Sequence, residues 1–176
     1  MINFIHNPKT GGRAIYDSFK GKINYMGHAY DSHTAEPTYM VFRNPYERLR
    51  SAYDWVIGGG NGSRRDIEEK NLLLSVGRKS LDLLLFPHNY NKLIHFIPQC
   101  RYISQNCTLI PYSNDIVSRF SEVTGLTPTK DTEERYNTVE KSFQGEWYTH
   151  DDIRYLVDRV YYEDFKIWLE LTKQYG

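Results

Sequence analysis

Ile2-Asn3-Phe4-Ile5-His6-Asn7-Pro8-Lys9-Thr10-Gly11-Gly12 reads as a strand that breaks into a glycine turn. Residues 2–6 set β-branched and aromatic side chains on alternate positions, and Asn, Pro and Gly crowd the stretch that follows. Ala14, Ile15, Ser18 and Phe19 then recur at helical spacing over residues 13–20. A strand running through such a turn into a helix gathers free backbone N–H groups and the positive end of the helix dipole around one point, which suits a phosphate or sulfate. In ATP- and GTP-binding loops a Gly-Lys is followed by Ser or Thr, whose hydroxyl reaches Mg²⁺. Here Lys9 precedes the glycines, and no Lys-Ser or Lys-Thr follows the second one.

Beyond this unit, a short strand is predicted at Ile23–Met26 and a clearer one at Thr38–Phe42, a run of buried-strand composition. Asn44-Pro45-Tyr46-Glu47 then predicts a helix start: Asn44 as cap, Pro45 at the first helical position and Glu47 closing a capping box. Leu49, Ala52, Tyr53 and Val56 form its buried stripe. The helix must stop at Gly58-Gly59-Gly60-Asn61-Gly62, and this tract, continuing into Ser63-Arg64-Arg65, reads as a linker or a mobile lid. Residues 66–97 read as helix in two or three pieces broken near Gly77 and Pro87, and Thr108-Leu109-Ile110 as another strand. An amphipathic helix spans Ser113–Thr124, residues 125–147 are polar and irregular, and Thr149-His150-Asp151-Asp152 opens a last helix reaching about Lys173. Strands alternating with helices predict an α/β fold, a small mostly parallel sheet with helices on both faces.

Composition agrees with one soluble domain over residues 1–176, since a domain takes roughly 100–200 residues. Lys+Arg 22 balance Asp+Glu 22, so no global field draws nucleic acid or an anionic membrane and an anion site must be local. Cys100 and Cys107 are too few for a disulfide scaffold and read as two reduced thiols. The longest apolar run, Leu83-Leu84-Leu85-Phe86, falls far short of the ~18 residues that cross a bilayer, and Met1 leads into no basic or long apolar leader; a cytoplasmic location is expected. No His, Cys, Asp or Glu cluster has metal-ligand spacing.

A second motif pairs with the first loop. Arg43 ends the Thr38–Phe42 strand, at the edge where open α/β sheets bind ligands, and its guanidinium can grip a phosphate in two places; Ser51 lies two turns into the next helix with a hydroxyl to add. With these residues the chain resembles the sulfotransferases, particularly the carbohydrate type typified by heparan sulfate 2-O-sulfotransferase. Asn7-Pro8-Lys9-Thr10-Gly11-Gly12 looks like that family's 5′-phosphosulfate loop, and Val41-Phe42-Arg43-Asn44-Pro45-Tyr46-Glu47-Arg48-Leu49-Arg50-Ser51-Ala52-Tyr53 is similar to its 3′-phosphate motif. The resemblance is close over about the first 55 residues and extends in element order to Pro98-Gln99 and Tyr162-Glu163-Asp164-Phe165.

The resemblance implies a P-loop-like three-layer fold and 3′-phosphoadenosine 5′-phosphosulfate as sulfuryl donor, with 3′-phosphoadenosine 5′-phosphate as product and no metal. It implies that Pro8, Lys9, Thr10, Gly11, Gly12, Arg13 and Ala14 hold the 5′ side and Arg43 and Ser51 the 3′-phosphate. Arg13 stands where the family commonly has Thr or Ser and offers charge in place of a hydroxyl. Arg135-Tyr136-Asn137-Thr138 falls where the family folds a loop over the nucleotide, which makes Tyr136 and Asn137 further contacts.

Sulfuryl transfer is an in-line displacement, so charge must be steadied on the leaving oxygen and the acceptor hydroxyl must lose its proton. Lys9 suits the first task. For the second, the segment between the second and third strands offers His28, Asp31, His33 and Glu36. His28 is preferred, because imidazole titrates near neutrality and Met26-Gly27-His28 resembles the stretch that carries the base in 2-O-sulfotransferases; His33 and Glu36 come next. His6 reads as a packed strand histidine, and His88, His95 and His150 fall in helical or capping contexts. Arg64 and Arg65, with Lys70, are expected to form a basic rim for an acidic, carbohydrate-like acceptor. A small P-loop kinase and a non-catalytic nucleotide- or glycan-binding module are the competing readings.

Overall fold

A computed structural model of the chain describes residues 1–29, 36–129 and 148–175, and of residues 78–81 the backbone alone. Four strands, β1 (Ile2–Ile5), β2 (Ile23–Tyr25), β3 (Thr38–Phe42) and β4 (Cys107–Pro111), form one all-parallel sheet in the order β2-β1-β3-β4. The helices are α1 (Gly12–Ser18), α2 (Pro45–Ile57), α3 (Arg64–Val76), α4 (Ile116–Thr124), α5 (His150–Arg159) and α6 (Tyr162–Tyr175).

Side-chain alternation assigns each strand residue to a face. Phe4, Val41 and Ile110 pack with Ile15 and Phe19 near α1 and with Ile116 and Phe120 of α4. Ile5, Met40 and Phe42 face the other way, onto Ile94, Ile97, Tyr102 and Leu171 of α6. A third cluster joins α2, α3 and α5 through Leu49, Tyr53, Val56, Leu73, Ile153 and Leu156. The expected α/β sheet with helices on both faces is therefore present, and among the described strands every pairing is parallel. None of the described helices is long and apolar enough to cross a membrane, and both cysteines are free thiols.

Four local expectations are corrected. Asn44 caps α2 by accepting the Tyr46 N–H at 2.9 Å, but Glu47 closes no capping box; its carboxylate turns to Arg43 at 3.4 Å instead. Residues 66–97 break at Gly77 and Pro87 as expected, but only α3, up to Val76, is α-helical; the pieces after it, Gly77–Leu85, Pro87–Asn89 and Ile94–Phe96, are 3₁₀ turns. The glycine tract is neither an open linker nor a free lid but a hydrogen-bonded turn: Gly60 donates to Trp55 O at 2.9 Å, and the Asp66 carboxylate accepts from Asn61 N–H at 3.0 Å. The last helix is two, because Tyr161 leaves the helical path, buries its ring and donates its hydroxyl to Phe96 O at 2.6 Å.

Candidate functional site

The strand order fixes where a ligand fits. From β1 the chain crosses to β2 on one side, and from β3 it crosses to β4 on the other, so the connections part at the carboxyl ends of the two central strands, the switch point where open α/β sheets hold ligands in a crevice. Lys9 and Arg43 lie on these two connections.

Lys9 holds a left-handed backbone, φ 65°, uncommon for a residue with a side chain. The loop around it is fixed from within: Thr10 Oγ1 donates to Asn7 O at 2.7 Å, and the wholly buried Asn7 donates Nδ2 to Gln99 Oε1 at 3.0 Å. From outside, Arg48 donates Nε to Pro8 O at 3.1 Å and Nη2 to the carbonyls of His95 and Ile97 at 3.0 and 2.8 Å. The Lys9 ammonium rests 3.9 Å above the centre of the Trp55 ring, a cation–π contact. Burial, and then the Arg43 charge, lower the Lys9 pKa to about 8.

Arg43 leans on this loop. Its Nη1 donates to Lys9 O at 3.2 Å, and its guanidinium stacks on Tyr112 at 4.6 Å. Two cations from separate motifs thus share one edge of the sheet, with Glu47 3.4 Å from Arg43 and the Asp54 and Asp66 carboxylates offsetting part of the charge at Lys9. Such an arrangement suits an anion, because unlike-charged ligand atoms relieve the repulsion.

The third component stands at the end of β2. Beyond Tyr25 the ladder continues with Met26 N–H to Phe4 O and His6 N–H to Gly27 O, both 2.9 Å, and Gly27, at φ 61°, turns the chain so that His28 lies beside His6. The two imidazole centres are 4.6 Å apart. His28 Nδ1 donates to His6 O at 2.5 Å; since a carbonyl only accepts, the proton sits on Nδ1, and in neutral His28 the lone pair is on Nε2. Burial lowers the His28 pKa, which keeps that lone pair available at neutral pH. His6 itself is taken down to about 3 by burial and by His28 and His95, and its Nδ1 contacts the Tyr25 hydroxyl.

The remaining expected residues are scattered. Pro8, Thr10, Gly11 and Gly12 belong to the Lys9 loop, and Gly12 has no room for a side chain, since a Cβ there would come within 2.0 Å of the His6 ring. Arg13 is turned to Asp17 at 2.9 Å on the exposed face of α1, and Ala14 packs against the core beneath α1. Ser51 is partly buried two turns along α2. Arg64 is exposed at the start of α3 and paired with Glu68 at 2.8 Å; Arg65 is exposed beside it, and its charge is felt at His28. Glu36 precedes β3, at the amino end of the sheet and a strand's length from Lys9 and Arg43, which separates it from the crevice. His33, Tyr136 and Asn137 lie outside the described residues.

Two contributors were not legible in the sequence. Gln99 joins Asn7 to Arg43, and His95 lies 6.4 Å from His28 between ring centres, with its Nδ1 donating to the buried Glu69 carboxylate at 2.7 Å. Neither stands in a motif with local spacing; the only sign for Gln99 was the Pro98-Gln99 pair, and for His95 there was none. Compared with family models, with curated proteins and with solved structures, the chain finds no match.

Proposed function

We propose that the chain is a sulfotransferase on a P-loop-like three-layer fold, moving a sulfuryl group from 3′-phosphoadenosine 5′-phosphosulfate to a hydroxyl of a carbohydrate-like acceptor. The observation that carries this reading is the hydrogen bond from Arg43 to Lys9 O, which brings the cations of two separate motifs to one crevice. The donor set fits a nucleotide with anionic groups at two places: Lys9 in the loop after β1, and Arg43 with Ser51 along β3 and α2. An orphan donor agrees with it, since the indole Nε1 of Trp55, the ring under Lys9, is buried without a hydrogen-bond partner among the described residues.

The bound nucleotide supplies an activated sulfuryl group on a phosphate leaving group. Lys9 steadies the negative charge that develops on the leaving oxygen, and with its pKa near 8 it remains mostly protonated at pH 7. Arg43 fixes orientation through its planar donor fork. His28 takes the acceptor's hydroxyl proton on Nε2, while the Nδ1 bond to His6 O holds the ring in the required tautomer.

Two measurements test the reading. In a thermal-shift titration 3′-phosphoadenosine 5′-phosphate should stabilise the protein, by ~2.7 kcal/mol at about 100 times its Kd, and ATP with Mg²⁺ should not. Transfer of labelled sulfate to a panel of glycans and phenols should then show turnover. Stabilisation by ATP–Mg²⁺ instead would favour a kinase, and nucleotide binding with no transfer to any acceptor would favour a binding module.

A further inference from the structure

We propose that Glu69 and His95 form a carboxylate–imidazole pair that positions and electrostatically supports His28, so that the acceptor-activating centre is a two-histidine site. The inference rests on the reading of His28 as the base.

Glu69 sits fully buried on α3, a helix on which the neighbouring Glu68 is exposed and Leu73 is buried in the core. A buried carboxylate is costly unless its oxygens are occupied. Both are: Oε1 accepts the Ile94 N–H at 2.8 Å and Oε2 accepts from His95 Nδ1 at 2.7 Å. Because a carboxylate only accepts, the His95 proton is fixed on Nδ1, and the ring is held in one orientation, as in a catalytic triad's acid–imidazole couple.

That orientation sets the His95 ring steeply against His28, at 62° with centres 6.4 Å apart, and at 48° to Trp55, the ring that carries the Lys9 ammonium, with centres 6.5 Å apart. His95 therefore neighbours both the proposed base and the ring beneath the proposed leaving-group cation. The main chain holds it there as well, through Arg48 on the His95 carbonyl at 3.0 Å.

The groups that act on His28 come from each element packed near it: the His6 carbonyl of the segment after β1, His95 of the 94–96 turn, and Arg65 and Glu69 of α3. Burial, and then His95 and Arg65, oppose a positive charge on His28; the His6 carbonyl and Glu69 favour it. The acceptor's proton moves to His28 Nε2 and stays there; neither Glu69 nor His95 takes it. Glu69 and His95 are positioning residues: neither needs to touch the acceptor.

The test is histidine side-chain ¹⁵N NMR on the full, nucleotide-free chain, comparing wild type with Glu69→Gln across pH 4–8, a range of about two units around the ordinary histidine value. In wild type, His95 should show the Nδ1–H tautomer; an Nε2–H tautomer overturns the proposal without any variant. In Glu69→Gln the His28 titration midpoint should fall by about 0.5–1.5 units, the scale of one charge at this separation in a partly screened interior. An unmoved midpoint overturns it. With donor and acceptor present, Glu69→Gln should lower kcat about 10–100-fold at unchanged nucleotide affinity, and the acid limb of the rate profile should move with the NMR midpoint. A wild-type protein that transfers no sulfuryl group defeats the sulfotransferase reading, while the tautomer and midpoint still decide the pairing.

Discussion

The side-chain amide of Gln99 hydrogen-bonds the Arg43 backbone in both directions: its Oε1 accepts the Arg43 N–H at 3.0 Å and its Nε2 donates to the Arg43 carbonyl at 2.8 Å. The amide acts as a strand neighbour one residue beyond the end of β3, and because Oε1 also takes Asn7 Nδ2 it ties the connection after β1 to the one after β3. Gln99 is in turn fixed by its own N–H to Asp164 Oδ2 at 2.7 Å, from α6. The separation of the two cationic loops is thus set from the far end of the sequence.

Gln99→Ala should therefore destabilise the fold by about 2–4 kcal/mol, since buried groups of Asn7 and Arg43 lose their partner. Urea unfolding measures it. A loss within about 0.5 kcal/mol, the size usual at an ordinary surface position, would mean that water replaces the amide without cost.

Gly12→Ala should cost about 1–3 kcal/mol by overpacking. The new methyl would stand 2.0 Å from His6 Cδ2, and the His6 ring has no easy retreat, with the Tyr25 hydroxyl on its Nδ1 and the His28 ring 4.6 Å away. Because His28 bonds to the His6 carbonyl, the same variant should disturb the His28 titration read by NMR, whereas Gly21→Ala, with nothing within 4 Å of the added methyl, should leave that titration in place.

Much of this site was legible because its signals are local. The glycine turn after β1 and the Asn44-Pro45 start after β3 fix backbone direction within a few residues, which was enough to bring Lys9 and Arg43 to the carboxyl edge. What was not legible depends on distance along the chain. Glu69 and His95 are 26 residues apart and Asn7 and Gln99 are 92 apart, and no periodicity reports such pairs. Charge rules also misled: Glu47 satisfies the capping-box pattern, yet in the fold the Arg43 guanidinium competes for it. The break at Tyr161 carries neither Gly nor Pro, since a buried hydroxyl bond to Phe96 O makes it.

Lys9 should be a liability for stability. Its folded pKa near 8 lies below the ordinary 10.5, so the folded state binds fewer protons than the unfolded one between these values, and stability rises with pH across that window. Below pH 8 both states are protonated and the full cost of the buried charge is present. Lys9→Met should then stabilise the protein by ~1–3 kcal/mol at pH 7 while abolishing nucleotide binding, and the gain should shrink by about half at pH 9.5. Paired urea melts at the two pH values check it; a gain independent of pH would place its origin in packing.

Arg43 and Arg48 stand five positions apart on one motif and should respond oppositely. Arg43 is partly exposed; its pair with Glu47 is long at 3.4 Å, and exposed ion pairs contribute about 0–1 kcal/mol, so Arg43→Ala should change stability by no more than about 1 kcal/mol. Its guanidinium is kept at the crevice by Lys9 O and the Tyr112 ring, and its loss should weaken 3′-phosphoadenosine 5′-phosphate binding by about 1.5–3 kcal/mol. Arg48 is 1% exposed and donates to Pro8, His95 and Ile97 carbonyls, with the buried Asp164 carboxylate in its field. Arg48→Ala leaves three carbonyls unpaired and a buried carboxylate without its cation, a loss of about 3–5 kcal/mol. Arg48→Lys, which cannot fork toward carbonyls on two segments, should recover only part of it. Calorimetric titration and urea melts on the same three variants separate the two roles: an Arg43→Ala protein that binds normally would remove Arg43 from the nucleotide site, and an Arg48→Ala protein as stable as wild type would deny that the Lys9 loop is braced from α2.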